Sequence, residues 1–123
     1  MVRTGVYDLV GSAPGADTGE FYRGTVFIRE YNGTYDLRWE IGDQVQSGIG
    51  LVDNGVLSVS YMDTTGNTIN DVGIVSYRIT PEGLEGIWIS QFGGGAIGYE
   101  WLTWNPLTRE DLDQASVSIE VVE

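Results

Sequence analysis

Apolar and polar residues alternate along most of the chain, in short runs that turn residues separate. The clearest run spans residues 34–40, where Tyr35, Leu37 and Trp39 share one face and polar side chains occupy the other. Strict alternation of this kind indicates β-strands with one buried face. Eight runs follow the pattern, at residues 2–10, 21–30, 34–40, 44–52, 56–62, 72–80, 84–91 and 97–104.

The connections between these runs are short and rich in turn residues. Asn32-Gly33 favours a two-residue hairpin, because both residues accept a positive φ. Pro81-Glu82-Gly83 marks another tight turn. Short connections between successive strands predict an all-β fold, an eight-stranded antiparallel up-and-down barrel, with a two-sheet sandwich as the alternative.

The same pattern sets the domain division. We assign residues 1–104 to the barrel domain and residues 105–123 to an acidic C-terminal tail. Alternation returns within the tail at residues 116–122. It predicts an extra C-terminal strand at a sheet edge, or a segment that binds a partner.

Composition narrows the classes of function. The 123 residues include 18 acidic and 6 basic side chains, for a net charge of −12, and no histidine, lysine or cysteine. These absences exclude histidine-based catalytic triads, lysine Schiff bases, thiolate nucleophiles and zinc sites built on sulfur or imidazole. We therefore expect a protein that is not an enzyme and holds no cofactor or metal. The negative charge disfavours nucleic acids and anionic membranes as partners.

The aromatic residues of the predicted barrel are candidates for a binding site. An eight-stranded barrel is just wide enough inside for side chains or for one small ligand. Alternation turns five large aromatic residues inward: Tyr35, Trp39, Tyr61, Tyr77 and Trp88. They either fill the core or line a cup for a small apolar or aromatic ligand. A large open cavity lined by Trp39 and Trp88 would favour the cup.

The last predicted strand is almost equally apolar on both faces, which makes Glu100 a candidate buried charge. A buried carboxylate needs a partner, and an arginine or a tyrosine hydroxyl would serve. Such a group is either a structural pair or a catalytic acid. On the face opposite the interior, the pattern places a candidate homo-oligomer interface, formed by Ile74, Ile87, Ile89, Leu102 and Trp104.

Two classes of function stay open. The first is a non-catalytic interaction or structural protein that acts through its outer wall, loops or tail, as a homo-oligomer or with another protein. The second is a carrier that holds a small ligand in an aromatic-lined cavity. The apolar outer face, the tail and the small size favour the first class.

Several strand motifs resemble those of a family of small bacterial proteins that are largely uncharacterised. They are Tyr22-x-Gly24-Thr25-Val26-x-Ile28, Tyr35-x-Leu37-x-Trp39, Gly83-x-x-Gly86-x-Trp88 and Gly98-Tyr99-Glu100. Some members carry the label of fibronectin-binding protein, and the layout is more distantly similar to the calycins, the avidin and lipocalin barrels. The resemblance implies a β-barrel, and it implies no catalytic residues.

The resemblance also bears on the compartment. Many members of that family are exported, which implies an exported or periplasmic protein whose signal peptide has been removed. The first residues of this chain lack the apolar run of a signal peptide. Without the family resemblance, that feature favours the cytoplasm.

Overall fold

The computed structural model describes residues 2–13 and 21–106. The strand predicted at 116–122, and with it most of the acidic tail, lies outside these residues. Eight strands are present in the described part: β1 (Gly5–Ser12), β2 (Tyr22–Tyr31), β3 (Thr34–Ile41), β4 (Gln44–Asp53), β5 (Val56–Asp63), β6 (Asp71–Ile79), β7 (Gly83–Ser90) and β8 (Gly98–Asn105). One short 3₁₀ turn, Thr65–Asn67, lies between β5 and β6.

The eight strands form a closed barrel in which every strand pairs antiparallel with the next one along the chain. The ring closes where β1 pairs with β8, from Val6 opposite Asn105 to Ser12 opposite Tyr99. The prediction of an all-β, up-and-down eight-stranded barrel is confirmed, and the sandwich alternative is wrong. Closure leaves each strand hydrogen-bonded along both edges, so the backbone groups of the wall are satisfied within the barrel.

Two hairpins have the backbone that their sequences predict. Asn32 and Gly33, between β2 and β3, have φ values of 52° and 79°. Asn54 and Gly55, between β4 and β5, have φ values of 52° and 76°. A two-residue turn with both φ values positive matches the right-handed twist of the strands on either side.

One end of the barrel is filled by its own side chains. Leu37, Leu57 and Leu84 are buried in the middle of the interior. Beyond them, Val2 and Trp104 pack at the end where the described chain begins and β8 stops. The guanidinium of Arg3 lies 4.7 Å from the centre of the Trp104 ring and covers it from outside. We call this the plugged end.

The structure corrects two of the residues predicted to lie on the outer face. Leu102 is 2% exposed and belongs to the core, and Trp104 packs against the core from the plugged end. Both faces of β8 are apolar, so alternation alone could not choose between them. Glu100 decides the choice, because its carboxylate finds partners only inside the barrel, and Leu102 and Trp104 follow at period two. Tyr99 and Trp101 therefore face outward instead.

Candidate functional site

Large aromatic side chains in the interior lie over glycines of the neighbouring strand. Four cross-strand pairs have this form: Tyr22 with Gly11, Tyr61 with Gly73, Tyr77 with Gly86 and Trp88 with Gly98. A Cβ atom on any of these glycines would lie between 2.1 and 2.6 Å from an atom of the ring. Each missing side chain thus lets a ring lie flat across one strand and reach the next.

Two of these aromatic residues reach the carboxylate of Glu100 from strands on opposite sides of β8. Tyr22 crosses β1 and donates its hydroxyl proton to Oε2 of Glu100 at 2.8 Å, and Tyr77 crosses β7 and donates to Oε1 at 2.6 Å. The indole Nε1–H of Trp39 donates in turn to the Tyr77 hydroxyl at 3.1 Å. Glu100 is only 6% exposed. Two phenol donors hold this carboxylate, rather than an arginine.

The environment changes the acidity of all three groups. Burial raises the pKa of Glu100 above its ordinary value of 4.5, although the hydrogen bonds from Tyr77 and Tyr22 offset part of that rise. Burial also raises the pKa of Tyr77 and of Tyr22 well above 10, and the nearby carboxylate adds to the effect. The phenols therefore stay protonated and act as donors throughout the physiological range.

A cavity of about 210 Å³ lies above this network and opens at the end of the barrel opposite the plug. We call it the mouth cavity. The β3–β4, β5–β6 and β7–β8 connections surround this end. The lining consists of Ala13, Tyr22, Trp39, Ile41, Gln44, Gln46, Tyr61, Val75, Trp88 and Glu100.

Four aromatic rings line the mouth cavity. Tyr22 and Trp88 meet edge to face, with ring centres 6.4 Å apart. Trp39 and Tyr61 meet at a tilt, with centres 5.9 Å apart. The hydroxyl of Tyr61 is anchored on the carbonyl of Ile89 at 3.2 Å. We call these four rings the aromatic cage, and their mutual contacts and anchors hold them in place without a ligand.

Trp88 carries a hydrogen-bonding group at this wall. Its Nε1–H is buried and meets no acceptor at full hydrogen-bond geometry among the described residues, although the Tyr22 hydroxyl lies close enough to interact with it. Buried N–H donors almost always have a partner, because leaving one unpaired costs roughly 1–3 kcal/mol. The Nε1 atom has almost no accessible surface and lies 2.6 Å from where a Cβ of Gly98 would be, so it is packed against β8.

Of the five residues predicted for the cup, three line the mouth cavity and two do not. Trp39, Tyr61 and Trp88 line the mouth cavity, as the prediction requires. Tyr35 is buried in the core outside the cavity lining, and Tyr77 lies behind Glu100, where its hydroxyl positions the carboxylate.

The prediction missed several lining residues. Tyr22 shares the inward face of β2 with Val26 and Ile28, so alternation could have included it. Gln44 and Gln46 carried no such signal, because polar side chains at the start of a strand are typical of solvent-facing positions.

The outer surface of β4 to β7 carries a second feature. Ile49, Leu51, Ile74, Ile87 and Ile89 are between 38% and 67% exposed there, and we call their surface the outer wall. A groove of about 730 Å³ runs along it, and none of its lining residues is charged. The outward placement predicted for the three isoleucines of β6 and β7 is confirmed. Their role as an interface stays a prediction.

The sequence of β4 explains part of this wall. On β4, Ile49 and Leu51 point outward, whereas Gly48 and Gly50 face inward. Gly48 faces inward because the Trp39 ring fills the space beside it, 2.9 Å from where a Cβ would lie. Ile49, at the next position, must therefore face solvent.

Comparison with known proteins adds no relative: no family model, curated protein or solved structure matches this chain. Within residues 2–13 and 21–106, no helix is long and apolar enough to cross a membrane. The same residues include no cluster of three or more carboxylates that could hold a metal ion.

Proposed function

We propose that this protein binds a small ligand in the mouth cavity. The observation that carries the proposal is an unfilled cavity that four aromatic side chains line. Within the described residues, core side chains pack the interior of the barrel from the plug up to Tyr77, and the mouth cavity is left open. A barrel needed only as a scaffold would gain stability by filling this space, since empty apolar volume lowers the free energy of unfolding.

The volume limits the ligand. A cavity of about 150 Å³ is known to hold one benzene molecule, so 210 Å³ holds a single ring or a group of similar bulk. Complete drug-sized molecules occupy pockets of roughly 300 Å³ or more. The bound part is therefore a small molecule, or one end of a longer molecule whose remainder extends into solvent past Gln44.

This cavity reverses the order of preference between the two classes of function. The sequence favoured an interaction or structural role, with ligand carriage as the alternative. The feature expected of a carrier was a large open cavity lined by Trp39 and Trp88; the cavity that both residues line is open but, at about 210 Å³, small. Ligand binding thus becomes the main proposal, and association through the outer wall becomes the second.

The proposal can be tested by NMR titration with benzyl alcohol, a single ring with one hydroxyl group. The chain has four tryptophans, and their indole N–H signals report on separate places. Trp39 and Trp88 line the mouth cavity, whereas Trp101 lies on the outside and Trp104 at the plug. We expect the first two signals to move and the last two to stay.

Two variants of Gln46 complete this test. Gln46→Trp places a large ring at the rim and should abolish the shifts, whereas Gln46→Ala widens the rim and should preserve them. Native and denaturing mass spectrometry of freshly purified protein should show a small mass that is lost on denaturation. A bare chain in the native spectrum together with equal movement of all four indole signals would refute ligand binding at the mouth.

A second function is supported by the outer wall, which we propose pairs with the outer wall of a second copy. Rows of isoleucine flank serines in it: Ile49, Ser60, Ile74 and Ile89 stand opposite one another on β4 to β7. The isoleucine side chains form a ridge, and the smaller serines leave a trough beside it. When a second copy is related to the first by a two-fold axis, the ridge of each copy can pack into the trough of the other. The groove is free of charge in a protein of net charge −12, so two copies meet there with the least repulsion.

The second function is tested by one substitution on the wall and one away from it. Ile74 is 58% exposed on the wall, and Ile69 is 66% exposed in the β5–β6 connection. Analytical ultracentrifugation should show an oligomer that Ile74→Glu dissociates and Ile69→Glu leaves intact. A monomer at all concentrations, or equal effects of the two substitutions, would contradict pairing through this wall.

A further inference from the structure

The charges around the mouth cavity are unbalanced. Among the described residues that line the cavity, Glu100 is the one carboxylic acid, and none is an arginine. The ion pairs of the described residues, Arg29–Asp36, Arg38–Glu40 and Arg78–Glu85, all lie on the exposed outside. When Glu100 is ionised, it therefore has two phenol donors and no counter-ion in the barrel.

The remaining surfaces of the cavity also favour a cation. Rings of tyrosine and tryptophan present a negative face, which attracts a positive charge placed above it. Four such rings, those of the aromatic cage, surround the space above Glu100. An anionic ligand would meet the carboxylate, the ring faces and the net charge of −12, and all three oppose it.

The number of hydrogen-bond acceptors in the cavity favours one type of cation over another. A primary ammonium group has three N–H donors, and each needs an acceptor once it is buried. Each carboxylate oxygen of Glu100 already accepts a phenol proton, which leaves two of its four lone-pair sites, fewer than the three donors of a primary ammonium group need. A quaternary ammonium group has no N–H donor, and its methyl groups spread the charge over a surface that packs well against aromatic rings.

We propose that the mouth cavity binds a quaternary ammonium group, with the aromatic cage around the methyl groups and Glu100 as the counter-ion. The inference rests on the proposed ligand-binding function and deepens it by naming the ligand class. A trimethylammonium group has about the bulk of a small ring, so it fits a cavity of 210 Å³.

The test compares two probes of equal shape. Choline has a trimethylammonium group, and 3,3-dimethylbutan-1-ol carries a tert-butyl group in its place with the same hydroxyl but no charge. Titrations followed through the Trp39 and Trp88 indole signals give both dissociation constants. We expect choline to bind at least about tenfold more tightly than the neutral alcohol. Ethanolamine, the primary amine of the same length, should bind more weakly than choline.

Substitutions at the site separate the contribution of the Glu100 charge to the affinity from the contribution of the aromatic cage. Glu100→Gln keeps the size of the side chain and should weaken choline about tenfold while changing the affinity for the neutral alcohol less than about twofold. Trp88→Leu should weaken choline, whereas Trp88→Phe retains a ring and most of the affinity. The Trp88 pair keeps the test decisive if the Glu100 variant fails to fold, and the Trp39 signal then reports binding.

The outcomes distinguish the two proposals. Equal affinity for choline and 3,3-dimethylbutan-1-ol would refute the cation inference and leave the ligand-binding proposal intact. Failure of benzyl alcohol and of both isosteric probes to move the Trp39 and Trp88 signals would overturn both. Tighter binding of choline that Glu100→Gln leaves unchanged would show that Glu100 is not the counter-ion and would also refute the inference.

Discussion

The ring of Tyr22 occupies the space that a side chain at Gly11 would need, and it reaches Glu100 across that gap. A Cβ at residue 11 would lie 2.1 Å from Cζ of the tyrosine. The two residues are direct partners on β2 and β1, and Gly11 is also the partner of Glu100 on β8. One glycine thus determines whether a tyrosine can contact a carboxylate two strands away.

This relationship predicts strong coupling between residues 11 and 22. Gly11→Ala should lower the free energy of unfolding by about 2 kcal/mol, because the ring must move in a well-packed wall. In a Tyr22→Leu background the same change should cost much less, since the ring is gone. Urea denaturation of the double-mutant cycle measures the difference. An equal cost of Gly11→Ala in both backgrounds would show that the close approach is not the cause.

The hydroxyl groups of Tyr77 and Tyr22 should differ in their contribution to stability. Tyr77→Phe leaves both Glu100 Oε1 and the Nε1–H of Trp39 without a partner, whereas Tyr22→Phe affects Oε2 alone. At roughly 1–3 kcal/mol for each buried unpaired group, Tyr77→Phe should cost about twice as much. Guanidinium denaturation at pH 7 checks the order, and a larger loss for Tyr22→Phe would contradict the arrangement.

Glu100 should give the stability an unusual dependence on pH. Its pKa is raised in the folded protein above the ordinary 4.5 by burial. Between pH 4.5 and the raised pKa, the folded state retains a proton that the unfolded state has released. Linkage then requires the contribution of Glu100 to the free energy of unfolding to fall as pH rises through that window.

Comparison with Glu100→Gln isolates this contribution. The other ionisable groups are common to both proteins, and Tyr22, Tyr61 and Tyr77, which surround Glu100, stay protonated because burial raises their pKa values. The wild-type protein should therefore lose stability relative to the variant as the pH rises above about 4.5. Urea denaturation at four pH values measures the trend. A difference that is constant, or that changes in the opposite sense, would argue against a buried carboxylate.

Substitutions at two neighbouring residues of β8 test which face of this strand points into the barrel. Leu102 is buried at 2% exposure, and Trp101 is 43% exposed and stacks on Tyr99 outside the barrel. Leu102→Ala should cost about 2–5 kcal/mol through the cavity it leaves. Trp101→Ala should cost less than about 1 kcal/mol, despite the larger side chain removed. The reverse order in thermal denaturation would restore the face first expected from the sequence.

The strand order and turns of this barrel could be predicted because each depends on local pattern. Alternation located all eight strands, and Asn32-Gly33 fixed the turn between β2 and β3 through its positive φ angles. Short connections then leave few ways to arrange the strands. Closure between β1 and β8 was part of the same inference, since an open sheet would leave two unsatisfied edges.

The site was harder to predict because it depends on relations between distant strands. The sequence does not show that Tyr77 and Tyr22 reach the same carboxylate, since that depends on the register of four intervening pairings. On β8 alternation was ambiguous, and on β4 the face that turned inward carries Gly48 and Gly50. A side chain that finds hydrogen-bond donors, such as Glu100, or a glycine that accommodates a ring, such as Gly48, decided which face turned inward.

The pairing of Val6 with Asn105 has a consequence for how the barrel is made. The first strand leaves the ribosome long before its partner is synthesised, so it must wait for almost the whole described chain. Until then the growing sheet has two bare edges, β1 on one side and the newest strand on the other, and such edges invite association between nascent chains. Closure therefore depends on release of the C-terminal part of the chain, and we expect truncation before β8 to yield aggregates rather than a smaller barrel.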